Sequence, residues 1–141
     1  MVLIFATSLL VISLCVISHL EALRRITILC DWLNIKGRYR ITISVLVAIL
    51  SHTIHVWLFG LAYFFILSLE KANQIVTIDG PVSGFFDCVY FSFANYTSLG
   101  YGDLVPEGPL RFMAGTEALV GLVFIAWTAS FLYLKMEQYW K

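Results

Sequence analysis

The sequence predicts an all-α membrane protein, and three observations carry that expectation. Hydrophobic residues fill 60% of the 141 positions and charged residues only 13%, against about 25% charged in an ordinary soluble domain. Mean hydropathy is +0.88. Apolar residues gather in three blocks, Met1 to Leu20, Ile41 to Leu69 and Phe112 to Leu134, the last carrying a single acid, Glu117. Each block exceeds the roughly 18 residues that a spanning helix needs.

The first block, "MVLIFATSLLVISLCVISHL", has the length of a signal peptide as well. It lacks the basic start and the small-residue cleavage site of one, since the first basic residue is Arg24. A retained transmembrane helix followed by a basic loop is therefore expected over residues 1–40. Charge orients the chain. Between Glu21 and Arg40 lie five basic and two acidic residues, whereas from Glu70 to Arg111 five acids face Lys71 and Arg111. Basic loops stay in the cytoplasm, so the N-terminus is expected outside, an outer helix over 41–69 running outward, and an inner helix over 110–135 returning to a cytoplasmic tail. Trp140 in that tail is the best candidate for the interfacial aromatic belt. The formal net charge is zero, and no nucleic-acid partner follows from it.

The outer connection carries the chemistry. "EKANQIVTIDGPVS" is polar with a Gly-Pro turn, and the 13 residues "GFFDCVYFSFANY" are apolar and aromatic. The second stretch is too short to span a bilayer and must re-enter from outside. A helix is expected over 84–97, with Ser83 as its N-cap and Asp87 near its positive end. Its negative end then points into the membrane, which suits a cation held there. After it, Ser98-Leu99-Gly100-Tyr101-Gly102-Asp103 places two glycines where a continuing helix would otherwise run. Glycine admits backbone of either hand, so successive carbonyls can face one way. Non-helical backbone at membrane depth is tolerated only where protein buries it or it lines a watery path. Residues 98–103 thus read as backbone ligands for a dehydrated species that crosses.

These residues resemble the selectivity filter of potassium channels, a T-x-G-Y-G-D pattern, and the chain looks like a small bacterial-type two-helix pore-loop channel with one additional N-terminal helix. The similarity runs from about Ile41 to Lys135 and is strongest from Phe85 to Arg111. It implies a pore domain over 41–141 and coordination of potassium by the carbonyls of Ser98, Leu99, Gly100 and Tyr101 together with the Ser98 hydroxyl. It also implies support from Thr97, Gly102 and Asp103. Ser98 stands where threonine is usual, Phe91 where many relatives have tryptophan, and Ala94 where some have glutamate. The usual carboxylate partner of Asp103 is thereby missing, and Glu117, the one acid inside a span, is expected to supply filter support instead. "NYT" at Asn95 to Thr97 matches a glycosylation sequon but falls at the end of the pore helix, where it would go unused.

A single pore loop cannot surround an ion, and the resemblance implies a homotetramer with cyclic symmetry in the lipid bilayer. Ala114, Ala118, Gly121 and Ile125 form a mostly small-residue stripe, which reads either as close packing or, at Gly121, as the family's hinge. Leu122, Ile125, Ala129 and Tyr133 would line the inner cavity. By the same resemblance the protein belongs in a bacterial inner membrane, needs no cofactor beyond the permeant ion, and leaves its N-terminal helix as a brace, an anchor or a site for a regulatory partner. No helix bears basic residues at every third position, which argues against intrinsic voltage sensing.

Cys15, Cys30 and Cys88 show no paired spacing, so free thiols are expected. His52 and His55 share a helical face and His19 lies in another helix. Packed, hydrogen-bonded histidines are the expected reading, with metal binding as the alternative. Function is expected to be that of an ion channel rather than an enzyme. A non-conducting subunit, a weakly selective cation channel, and an intramembrane enzyme using Glu117, His52 and His55 are the other readings.

Overall fold

A computed structural model describes residues 1–69, 73–82 and 84–139. Ser83, the expected N-cap, and Trp140, the expected belt residue, lie outside the described residues. Among the described residues four helices carry the fold: α1 (Val2–Trp32), α2 (Gly37–Leu69), α3 (Phe85–Tyr96) and α4 (Leu110–Tyr139). The first, second and fourth are long and apolar enough to cross a membrane, and the protein is a mostly helical membrane protein.

The basic loop expected from Glu21 onward is mostly helix. The long side chains of this stretch are good helix formers, and Glu21 accepts a hydrogen bond from Arg25 one turn later (2.7 Å) and pairs with Arg24 (3.8 Å). The true connection is the short turn from Leu33 to Lys36. It closes with a left-handed Asn34 (φ +50°), from which Asn34 N–H reaches the Asp31 carbonyl and Ile35 N–H the Cys30 carbonyl, each at 3.1 Å. Asparagine tolerates that conformation, and the paired bonds are the usual C-terminal cap of a helix. An ion pair from Arg40 to Asp31 ties the start of α2 to the end of α1.

α1 buries one stripe, from Ile4 through Val11, Cys15, His19 and Leu23 to Cys30, at spacings of three and four. That stripe packs on α2 and α4, and up to Leu20 the other faces are exposed and largely apolar, as lipid-facing helices are. Between α2 and α4 sits α3, and Tyr63, Phe91 and Cys88 fill the middle of the core. Tyr63 and Phe91 meet edge to face with ring centroids 5.0 Å apart. Gly60 lets the two helices approach, because a Cβ there would lie 2.9 Å from the Val89 Cα.

The outer connection departs from the all-helical expectation. Strands β1 (Ile75–Thr77), β2 (Gly80–Val82) and β3 (Val105–Pro106) form a small antiparallel sheet in the order β2-β1-β3. Ile75 faces Val82 on one side and Pro106 on the other. Pro81 and Pro106 both lie on edge strands, where a missing N–H costs no ladder bond. The sheet joins the segment before α3 to the segment after residues 98–103, so both ends of the re-entrant unit are fastened to each other.

Candidate functional site

The re-entrant helix α3 has 12 residues, about 18 Å at 1.5 Å per residue, against a hydrocarbon core of about 30 Å. Asp87 occupies its first turn and Gly84 its N-cap position. At the other end the Ser98 N–H bonds the Asn95 carbonyl (2.9 Å), and the Leu99 and Gly100 N–H groups share the Ala94 carbonyl (2.9 and 3.0 Å). This is the same cap that ends α1, but the left-handed position is filled by serine. A serine at φ +56° is disfavoured relative to glycine or asparagine by about 1–2 kcal/mol, and strain of this kind collects at functional sites.

The strain continues in alternation. φ is +56° at Ser98, +52° at Gly100 and +83° at Gly102, while Leu99 and Tyr101 keep negative values. Backbone alternating in hand can turn successive carbonyls to one side without forming helix or strand. Ser98 through Asp103 are all exposed in the single chain, and Leu99 and Tyr101 carry large hydrophobic side chains that are 56% and 67% exposed. Behind them a cavity of 180 Å³ is lined by Ala94, Asn95 and residues of the 98–103 segment. Ala94 borders the very space that a longer side chain at that position would fill.

Three sets of hydrogen bonds lie on or beside this segment. Tyr90 donates from its hydroxyl to Asp103 Oδ2 at 2.8 Å, so the aspartate has a partner that the sequence reading did not supply. Thr97 donates back to the Phe93 carbonyl at 2.7 Å. Glu117 is completely buried and lies against α3: Asn95 Nδ2 and the Tyr63 hydroxyl donate to its Oε2 at 2.7 and 2.6 Å, and Ser92 Oγ meets its Oε1. Asn95 Nδ2 also donates to the Ala114 carbonyl at 2.7 Å, so two bonds from one amide nitrogen fix α3 to α4.

Gly121 touches α3 directly, because a Cβ there would collide with the carbonyl of Tyr96. Close approach alone therefore requires glycine at this position, and α4 runs through it as one continuous helix. Leu122, Ile125, Ala129 and Tyr133 are exposed in the single chain. His19, which the sequence places in another helix, lies beside His52 and His55, with one ring nitrogen from each within 4.8 Å of the others. Glu117 bonds to Tyr63, Ser92 and Asn95, whereas the histidines bond to Ser18, Ser51, Tyr96 and Thr128. The two sets form separate networks.

Residues 42–138 match the model of a family described as an ion channel. Over 82 residues the chain is 33% identical to the inward rectifier potassium channel Kirbac3.1 of Paramagnetospirillum magnetotacticum, a stretch covering 57% of this chain and 25% of that relative. The chain thus spans about a quarter of the length of that relative. No solved structure matches. The family match takes in α2 after its first turns, the re-entrant helix, the strained segment behind it and nearly all of α4, and on that match the chain belongs to the ion channel family.

Proposed function

We propose that the chain is the pore-forming subunit of a potassium-selective channel that works as a homotetramer. The single observation that carries this reading is the alternation of backbone hand at Ser98, Gly100 and Gly102, placed at the inner end of a short re-entrant helix. In a ring of four such segments the carbonyls of Ser98, Leu99, Gly100 and Tyr101 replace the hydration shell of a potassium ion. The Ser98 hydroxyl makes no hydrogen bond among the described residues, which leaves it available as the innermost ligand. Thr97, Gly102, Asp103 and Glu117 hold the segment in place, Leu122, Ile125, Ala129 and Tyr133 face the inner cavity, and Gly121 seats the inner helix on the pore helix. The name of the potassium channel relative supports the choice of ion.

Purified protein in liposomes should carry potassium and exclude sodium. Liposomes that stay impermeable to both would make the chain a non-conducting subunit, and equal flux of the two ions would make it a weakly selective cation channel.

The proposed orientation places the turn before α2 in the cytoplasm and the β1–β2 hairpin outside, with the N-terminus outside as well. Cysteine labelling tests it cleanly, because Cys15, Cys30 and Cys88 are all buried. A cysteine at Ile78, the fully exposed hairpin tip, should react with an impermeant thiol reagent applied to intact cells. A cysteine at Lys36 should react only after the membrane is opened. The reverse pattern would invert the topology.

A further inference from the structure

We propose that His19, His52 and His55 form a binding site for a divalent transition metal of the zinc class, one that fastens the N-terminal helix to the inner end of the pore helix. Three imidazoles between membrane-spanning helices, two buried and His52 half-buried, need a reason to be there. Ionisable side chains inside a membrane are scarce and mark functional sites by default. None of the three bonds to a carboxylate; all six ring nitrogens meet hydroxyls instead.

Those hydroxyls fall into two kinds. Ser51 and Ser18 each serve one histidine: Ser51 Oγ lies 3.2 Å from His19 Nδ1, and Ser18 Oγ lies 3.2 Å from His55 Nε2. Thr128 and Tyr96 are shared. Thr128 Oγ1 sits 2.9 Å from His52 Nε2 and 3.2 Å from His19 Nε2, and the Tyr96 hydroxyl sits 2.9 Å from His52 Nδ1 and 3.2 Å from His55 Nδ1. The unshared serines are placed like the groups that orient metal-bound histidines, where a bond to one ring nitrogen turns the other toward the ion.

Proton placement agrees at His55. Ser18 donates its hydrogen to the Cys15 carbonyl at 3.0 Å. It must then accept from the His55 Nε2–H, which leaves the lone pair on Nδ1, the nitrogen facing Tyr96. Ser51, by holding His19 Nδ1, leaves Nε2 as the inward atom. With Ser51 accepting from the His19 Nδ1–H, the donor set is His19 Nε2, His55 Nδ1 and one nitrogen of His52. One ligand nitrogen from each of the three already lies within 4.8 Å of the others. A tetrahedral zinc with bonds of about 2.0–2.1 Å holds its nitrogens about 3.3 Å apart, so ring rotations that shorten the spacing by roughly 1.5 Å complete the set. Three imidazoles suit zinc, nickel, cobalt or copper rather than magnesium or calcium.

The fourth position falls to the Tyr96 hydroxyl, already within reach of two of the rings. It would bind through an oxygen lone pair and keep its proton, because Tyr96 is only 1% exposed and no solvent is at hand to take it. Tyr96 is the last residue of the pore helix, its carbonyl is pressed on Gly121, and Ser98 follows two residues later. An ion here would bridge α1, α2 and the base of the 98–103 segment.

The test is equilibrium dialysis of the intact, tag-free protein against zinc, with bound metal counted by elemental mass spectrometry. One zinc per chain is expected, and cobalt in its place should give the intense visible absorption of a tetrahedral site. His19→Gln and His55→Gln should each weaken binding by more than about 100-fold, and Ser18→Ala, which removes no ligand, by about 10-fold. Each variant is compared at the same oligomeric state on gel filtration, so that misfolding is recognised, and Ser18→Ala covers the case in which a histidine variant fails to assemble. Parent protein that retains no zinc would overturn the proposal, as would His19→Gln and His55→Gln proteins that retain it as well as the parent. None of these readouts depends on ion conduction.

Discussion

Gly102→Ala is expected to abolish potassium flux and leave the oligomer assembled. The cause is conformational rather than steric: φ is +83° at Gly102, and a Cβ built there meets nothing within 4 Å. An L-residue in left-handed backbone costs about 1–2 kcal/mol, and in a ring of four chains the cost is incurred at four positions that must share one geometry. The segment can relieve it only by turning a peptide plane, which removes a carbonyl from the axis. Gly80→Ala provides the control. Gly80 is also left-handed, at φ +125° with open space around it, but it sits in the β1–β2 hairpin, away from the 98–103 segment. Gly80→Ala should carry the same class of strain and still conduct. The measurement is potassium over sodium flux of both variants in liposomes. Gly102→Ala protein that conducts and selects like the parent would show that residues 98–103 are not the filter.

The spans were legible in the sequence because the length of an apolar run is itself the physical requirement for crossing a bilayer. Their ends were not. Arg24, Arg25 and Asp31 read as loop by charge, yet they lie in helix, since charge opposes membrane burial without opposing helix formation. The β1–β2 hairpin had a signal that the polarity of its surroundings masked: Gly80 closely follows the β-branched run Ile75-Val76-Thr77, and the chain turns through Ile78 and Asp79 onto that glycine, which pairs with Thr77 at a positive φ that glycine adopts freely. The left-handed glycines were readable from residue type alone, whereas Ser98 as a third left-handed residue was not, because nothing local marks a serine for that conformation. Contacts across helices were the least accessible. Tyr90 meets Asp103 from 13 positions away, and His19 meets Ser51 across 32, pairings that depend on how helices pack rather than on any spacing. Glu117 was the exception, because an acid in a span has to find protein partners.

Glu117→Leu should destabilise the assembled protein and reduce flux, and Glu117→Gln should leave both close to the parent. The difference follows from a hydrogen count. Ser92 Oγ has one hydrogen and two acceptors in reach, the Val56 carbonyl at 2.9 Å and Glu117 Oε1. If Ser92 donates to Val56, the contact with Glu117 is completed by a carboxyl hydrogen on Oε1 that donates to Ser92, and Oε2 accepts from Tyr63 and Asn95. Glutamine reproduces those three bonds, one amide N–H donating to Ser92 and its oxygen accepting the other two, and adds one further N–H. Leucine reproduces none of it. Ser92 would keep Val56 and Asn95 would keep Ala114, but the fully buried Tyr63 hydroxyl loses its acceptor, at about 1–3 kcal/mol per chain for an unsatisfied buried group. The tie from α4 to the last turn of α3 would also shrink to the single Asn95 to Ala114 bond, and the 98–103 segment hangs from that turn. Thermal unfolding of the purified oligomer and potassium flux in liposomes measure the two effects separately. A Glu117→Leu protein as stable and as conductive as the parent would reduce Glu117 to packing. Glu117→Gln failing as badly as Glu117→Leu would show instead that the network requires an ionised carboxylate, with Ser92 donating to it and the Val56 carbonyl left to its helix bond alone.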